Sequence, residues 1–121
     1  MNLDKHDVEA YAKTSDMGTV VSVLSRAIGA LVIDCPADTD PMILKFQDTS
    51  VVLGRSEDGF LSVWVRGSHA WATSPALGRY LATALHCTVL CDPGCEFPEV
   101  SPYSSVFLQI ENGRESLVTL E

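Results

Sequence analysis

The sequence contains no apolar run near the ~20 residues that a membrane-spanning helix needs. Its start, Met1-Asn2-Leu3-Asp4-Lys5-His6-Asp7, carries neither the basic end nor the apolar stretch of a secretion signal. The expectation is residence in the cytoplasm and no membrane partner. Basic residues are scarce: eight Lys and Arg stand against sixteen Asp and Glu, for a net charge of −8. Such a field repels phosphate backbones, which argues against nucleic acid as a partner, and it attracts basic surfaces. No glycine-rich phosphate loop follows any predicted strand, and no G-x-S-x-G elbow occurs.

Residues for bond-making chemistry are equally sparse. Of the three histidines, His69 in Gly67-Ser68-His69-Ala70-Trp71 has the one site-like neighbourhood. It lacks a carboxylate to orient it as a general base, so a solvated loop histidine is the stronger reading. His86 and Cys87 are neighbours at a predicted strand start, where side chains point to opposite faces and cannot form a nucleophile–base pair. No carboxylate sits in an apolar setting that would raise its pKa for acid work. We therefore expect no catalytic residue and no cofactor. Four cysteines are present, with Cys87, Cys91 and Cys95 spaced C-x3-C-x3-C beside His86. Zinc knuckles use C-x2-C, and the radical-enzyme iron–sulfur loop, C-x3-C-x2-C, differs by one residue. On a strand, Cys87 and Cys91 lie two pleats apart, too far to share an ion unaided. Free structural thiols without a metal or a disulfide are expected.

What the chain does have is enough material for one domain, residues 1–121. It can bury roughly two-thirds of its unfolded surface and needs no staple. An apolar fraction of 46% with 20% charged residues is globular rather than disordered. Val8, Tyr11 and Ala12 at helical spacing predict a first helix over residues 3–13. A second over 17–28 follows Thr14-Ser15-Asp16, with Gly29 as its stop. Ser74 as N-cap and Pro75 at the first helical position open a third. Strands are predicted over residues 31–35, 42–47, 50–55, 60–66, 87–91, 106–111 and 116–120, with hairpin turns at Asp58-Gly59 and Asn112-Gly113. The expected fold is α+β: an antiparallel-dominated sheet of about six to seven strands, with about three helices mainly on one face.

Leu61, Val63, Val65, Leu77, Leu81, Leu85, Val89, Leu108 and Ile110 are the predicted core. Phe60 and Trp64 share the opposite face of their strand; a covering helix is the favoured reading, an aromatic anchor for a partner the alternative. A faint echo links residues 26–36 with 83–93, each a helix end, an apolar strand, then acid, cysteine and proline. If the units are equivalent in space, the loops bearing Asp34, Asp38, Asp40 and Asp92, Glu96, Glu99 share one sheet edge.

The second half carries a likeness: a helix after Ala70-Trp71-Ala72-Thr73-Ser74-Pro75, then Cys91-Asp92-Pro93-Gly94, then Pro98-Glu99-Val100-Ser101-Pro102-Tyr103-Ser104. Over residues 64–120 the chain resembles the immunity proteins of bacterial toxin–immunity pairs, from contact-dependent inhibition or secretion-system effectors. The resemblance implies stoichiometric binding of one cognate protein toxin, many of which are basic nucleases, with no catalysis. The alternative is a secretion chaperone of the type III kind, and a small enzyme ranks third. Those chaperones end on a helix, whereas this chain ends on Leu117-Val118-Thr119-Leu120. From Asp92 onward, Asp92, Glu96, Glu99, Glu111, Glu115 and Glu121 oppose Arg114 alone. The predicted partner surface is the acidic, proline-stiffened loop Asp92, Glu96, Glu99, helped by Asp38 and Asp40, with Tyr103 or Trp71 as anchor. Charge reversal there is expected to leave the fold untouched.

Overall fold

In the computed structural model, residues 7–35, 40–56, 58–67, 69–101 and 105–119 are described. The first element is β1 (Val8–Ala12), a strand where the sequence predicts a helix. Its alternation decides the matter: Val8, Ala10 and Ala12 are buried, while Glu9 and Tyr11 face the other way. Helix α1 (Met17–Ile28) follows as predicted. The Asp16 side chain caps it by accepting from the Thr19 backbone N at 3.1 Å and the Thr19 hydroxyl at 2.7 Å. Gly29, at φ 131°, ends it, and the Phe46 ring occupies the space a Cβ there would need.

Four strands come next: β2 (Val32–Ile33), β3 (Met42–Phe46), β4 (Thr49–Arg55) and β5 (Leu61–Arg66). Helix α2 (Ser74–Leu85) carries Pro75 in its first turn, but its cap is Thr73, whose Oγ1 accepts from Ala76 N at 3.2 Å. Ser74, the predicted cap, instead accepts from the Glu9 backbone N of β1 at 3.1 Å. Strands β6 (Val89–Cys91), β7 (Val106–Glu111) and β8 (Arg114–Thr119) complete the fold, with a 3-10 turn at Gly94–Glu96. Asn112 and Gly113, both at positive φ (51° and 77°), make the β7–β8 turn.

The result is α+β, one eight-stranded antiparallel sheet in the order β2-β3-β4-β5-β1-β6-β7-β8 with both helices on one face. Val20, Val23 and Leu24 of α1 and Leu77 and Leu81 of α2 pack with Ala10, Leu53, Leu61, Val63, Val65 and Leu108 of the sheet. Each fully buried leucine or valine contributes roughly 1.5–3 kcal/mol. The predicted core is buried, apart from Leu85, which is partly so. The Tyr80 hydroxyl donates to the Val23 carbonyl at 2.6 Å and ties the two helices together. Gly78 lets α2 approach the sheet closely, since a Cβ there would lie 3.1 Å from both Cys91 Sγ and Ile110 Cδ1. No helix among the described residues is long and apolar enough to cross a membrane.

Candidate functional site

The two acidic loops of the sequence echo do not meet. β2 is first and β6 sixth in a wholly antiparallel sheet, so they run in opposite directions and their following segments leave at opposite ends. Asp40 lies where β4 finishes, its Oδ1 accepting from Arg55 N at 3.3 Å. Asp92 follows Cys91, which pairs with Ala10, and so lies beside Glu9 at the end where β1 begins. Asp38 and Tyr103 lie outside the described residues. Glu99 is exposed in a turn.

Two other predicted site residues have structural work instead. Trp71 is 7% exposed, part of the core, with its ring 5.5 Å from that of Tyr80. Buried there, it presents no anchor. Glu96 accepts from the Thr73 hydroxyl, the cap of α2, and pairs with Arg79 at 2.9 Å. Arg79 also grips Glu115 of β8 with two bonds, at 2.7 and 3.1 Å. The Glu96 carboxyl is held below the usual range, first by Arg79 and then by Thr73. Contrary to the expectation for a free loop charge, Glu96→Lys should lower stability, by about 1 kcal/mol, because it sets a cation beside Arg79 and frees the cap. A urea midpoint measures this. The sign with pH follows from the depressed value. Glu96 stabilises the fold above the unfolded glutamate pKa of about 4.3, and this contribution disappears as pH falls through the folded value. The gap between wild type and Glu96→Gln should therefore close on acidification below about pH 4.

The face of the sheet away from the helices holds the more suggestive arrangement. Ile43, Val52, Trp64 and Glu9 lie side by side across β3, β4, β5 and β1. The next row on this face runs Gly54, Ser62, Tyr11, Leu90, Gln109, Ser116. Phe107 meets Tyr11 edge to face at 6.4 Å between ring centroids. Tyr11, Phe60, Leu90 and Phe107 wall a small cleft of about 200 Å³ with Ser56 and Asp58 at its rim. At the end of the sheet where β1 begins, Asp7, Val8, Glu9, Trp64 and Asp92, with Ser74 from the start of α2, line a hollow of about 400 Å³. The Trp64, Tyr11, Phe60 and Phe107 side chains are half-buried, packed laterally on their neighbours, and both helices lie on the opposite face.

Charge on this face is unevenly balanced. The Arg66 guanidinium sits 4.7 Å from the Trp64 ring centroid and pairs with Asp7 at 3.6 Å. Glu9 and Asp92 form no salt bridge among the described residues. Asp92 Oδ1 accepts from Gly94 N at 2.8 Å, which fixes its position. Burial, reinforced by the Glu9 charge, pushes the Tyr11 phenol up to about 12, so it stays a hydrogen-bond donor. Aromatic surface flanked by carboxylates suits recognition of an apolar, basic counterpart.

A second groove, of about 480 Å³, lies on the helix side between α2 and the β7–β8 hairpin, but its Arg79 and Glu115 already satisfy one another. Among the described residues, no group of His, Cys, Asp and Glu is arranged to hold a metal ion. Cys35, Cys87 and Cys91 are free thiols, and burial pushes Cys91 up to about 12. His69 accepts from Trp71 N through Nδ1 at 3.3 Å, a bond internal to its own turn. No protein-family model, curated protein or solved structure matches this chain.

Of the predicted partner-binding residues that are described, the structure therefore joins only Asp92 to this open face. The helical reading of residues 3–13 hid Glu9 and Tyr11. Phe107 and Leu90 were legible only as the alternate set to Leu108, Ile110 and Val89 on their strands. The helix expected to cover Trp64 packs on the other side.

Proposed function

We propose that this chain is an immunity-type inhibitor that binds one basic protein toxin stoichiometrically through the open face of its sheet. The observation that carries the reading is the half-buried aromatic set Tyr11, Phe60, Trp64 and Phe107, bordered by Glu9 and Asp92, in a chain of net charge −8. Neighbouring strands are about 4.8 Å apart and a strand of this length about 17 Å long. The face from β3 to β7 is thus roughly 24 by 17 Å in plan, about 400 Å² before side-chain relief is counted, or half of the roughly 800 Å² that a standard interface buries per partner. A nuclease is the class of toxin that best meets this charge, because a surface built to hold phosphates is itself basic.

The test begins with the product of the gene adjacent to this chain's own, which the reading expects to be a toxin, co-expressed and co-purified with this chain. Coexpression should relieve its toxicity and yield a one-to-one complex. Glu9→Lys combined with Asp92→Lys should slow association by about tenfold and flatten its salt dependence, with a smaller change in dissociation. An association rate unchanged by this double reversal would remove the open face from the reading. Failure to capture or protect against any such neighbour would remove the inhibitor role.

A further inference from the structure

The two edges of the sheet are built differently. β2 is two residues long, and shortness is a common way of blunting an edge against unwanted pairing. β8 is six residues long and straight in register with β7 from Arg114 to Thr119. It contains no proline or lysine to discourage a further strand, and its charges, Arg114 and Glu115, cancel. Leu117 is 41% exposed, one of the few large apolar side chains so placed. α2 packs over β1, β6 and β7, and its Arg79 reaches out to β8.

The hairpin fixes which backbone groups of β8 point away from β7. A two-residue turn with both residues at positive φ is closed by a hydrogen-bonded pair, here Glu111 and Arg114. Alternation along an antiparallel ladder then turns the N–H and C=O groups of Arg114, Ser116 and Val118 toward β7. Those of Glu115, Leu117 and Thr119 point outward. We infer that β8 pairs antiparallel with β8 of a second copy, with Leu117 opposite Leu117 on the two-fold axis, to give a dimer with one continuous sheet. The register is set by two requirements. Residues opposite each other must lie on the same face, which demands pairs two, four or no residues apart. The outward groups of Glu115, Leu117 and Thr119 must all find partners, which centring on Leu117 achieves and centring on Ser116 does not. In this register Glu115 faces Thr119 and Ser116 faces Val118, so no like charges oppose each other and the Arg79–Glu115 pair is kept. Local neutrality at this edge lets two acidic molecules approach, their remaining repulsion screened beyond about 8 Å in physiological salt.

The inference stands apart from the toxin-binding reading, since β8 is at the margin of the open face and the test needs no partner. Sedimentation equilibrium of the free protein at high micromolar concentration should give twice the 13.1 kDa chain mass. Leu117→Lys should return the mass to that of one chain. Leu117→Pro should do the same with the circular dichroism spectrum preserved, because it removes an outward N–H and leaves the β7 ladder intact. Leu117→Cys should cross-link as a dimer under mild oxidation, where wild type and Ser116→Cys do not. A wild-type protein that sediments as a single chain, or a dimer that survives Leu117→Pro, would overturn the inference.

Discussion

Gly67→Ala is expected to cost about 3 kcal/mol of stability, the largest loss from adding one methyl group to this chain. Gly67 follows β5 at φ 90°, and an added Cβ would lie 2.2 Å from the Asp48 carbonyl oxygen in the β3–β4 turn. That oxygen is backbone, so relief requires moving the start of β4 away from β5, where Ser50 pairs with Arg66. The conformational part of the loss is about 1–2 kcal/mol for any residue with a side chain. Gly59 provides the control: its φ is 88°, and a Cβ added there would meet nothing within 4 Å. Gly59→Ala should therefore show the conformational cost alone. Thermal or urea unfolding of both variants separates strain from collision, and equal losses at the two positions would refute the close contact.

Trp64→Ala is expected to weaken the proposed complex by about 2 kcal/mol, close to a thirtyfold rise in Kd. Most of the change should fall on dissociation, because a desolvated aromatic anchor holds a formed complex rather than steering its encounter. The free protein should lose less than Trp71→Ala does, since Trp64 is only half-buried, beside Val52 and under Arg66. Trp71→Ala should behave in the opposite way. Its ring is 7% exposed among core residues, and emptying such a site costs about 3–5 kcal/mol of stability. Surface plasmon resonance with the toxin, beside unfolding curves of each variant, distinguishes the two tryptophans. A Trp64→Ala protein that binds as wild type does would place the anchor elsewhere.

Legibility in the sequence tracked how local the deciding physics was. Asn112-Gly113 could be read as a hairpin because both positions need positive φ, a demand met within the dipeptide. α1 was legible from its cap and its stop, Asp16 and Gly29, which act within a turn of their own positions. β1 was not, because Val8, Ala10, Tyr11 and Ala12 satisfy a helical and an alternating pattern alike in so short a segment. What settles it is insertion between β5 and β6, contacts contributed by residues more than forty positions away. Thr73 and Ser74 are equally competent caps, and the choice is made by Glu96 and Glu9, again from other elements. The candidate site suffered most from this. Charge on a loop says nothing of strand order, and strand order alone sends Asp40 and Asp92 to opposite ends of the sheet. Trp71 looked like an exposed loop aromatic, but Tyr80 and the core enclose it.

The central claim, that the open face of the sheet is the binding surface, can be read from the two tryptophans the sequence contains. Biosynthetic labelling of this chain alone with 5-fluorotryptophan gives one fluorine resonance for Trp64 and one for Trp71, assigned by Trp64→Phe and Trp71→Phe. On titration with the unlabelled toxin, the Trp64 resonance should shift or exchange to a bound position and become shielded from a paramagnetic co-solute, while that of Trp71 stays where it is. A saturated complex in which Trp64 keeps both its free shift and its full exposure to the co-solute would contradict the claim.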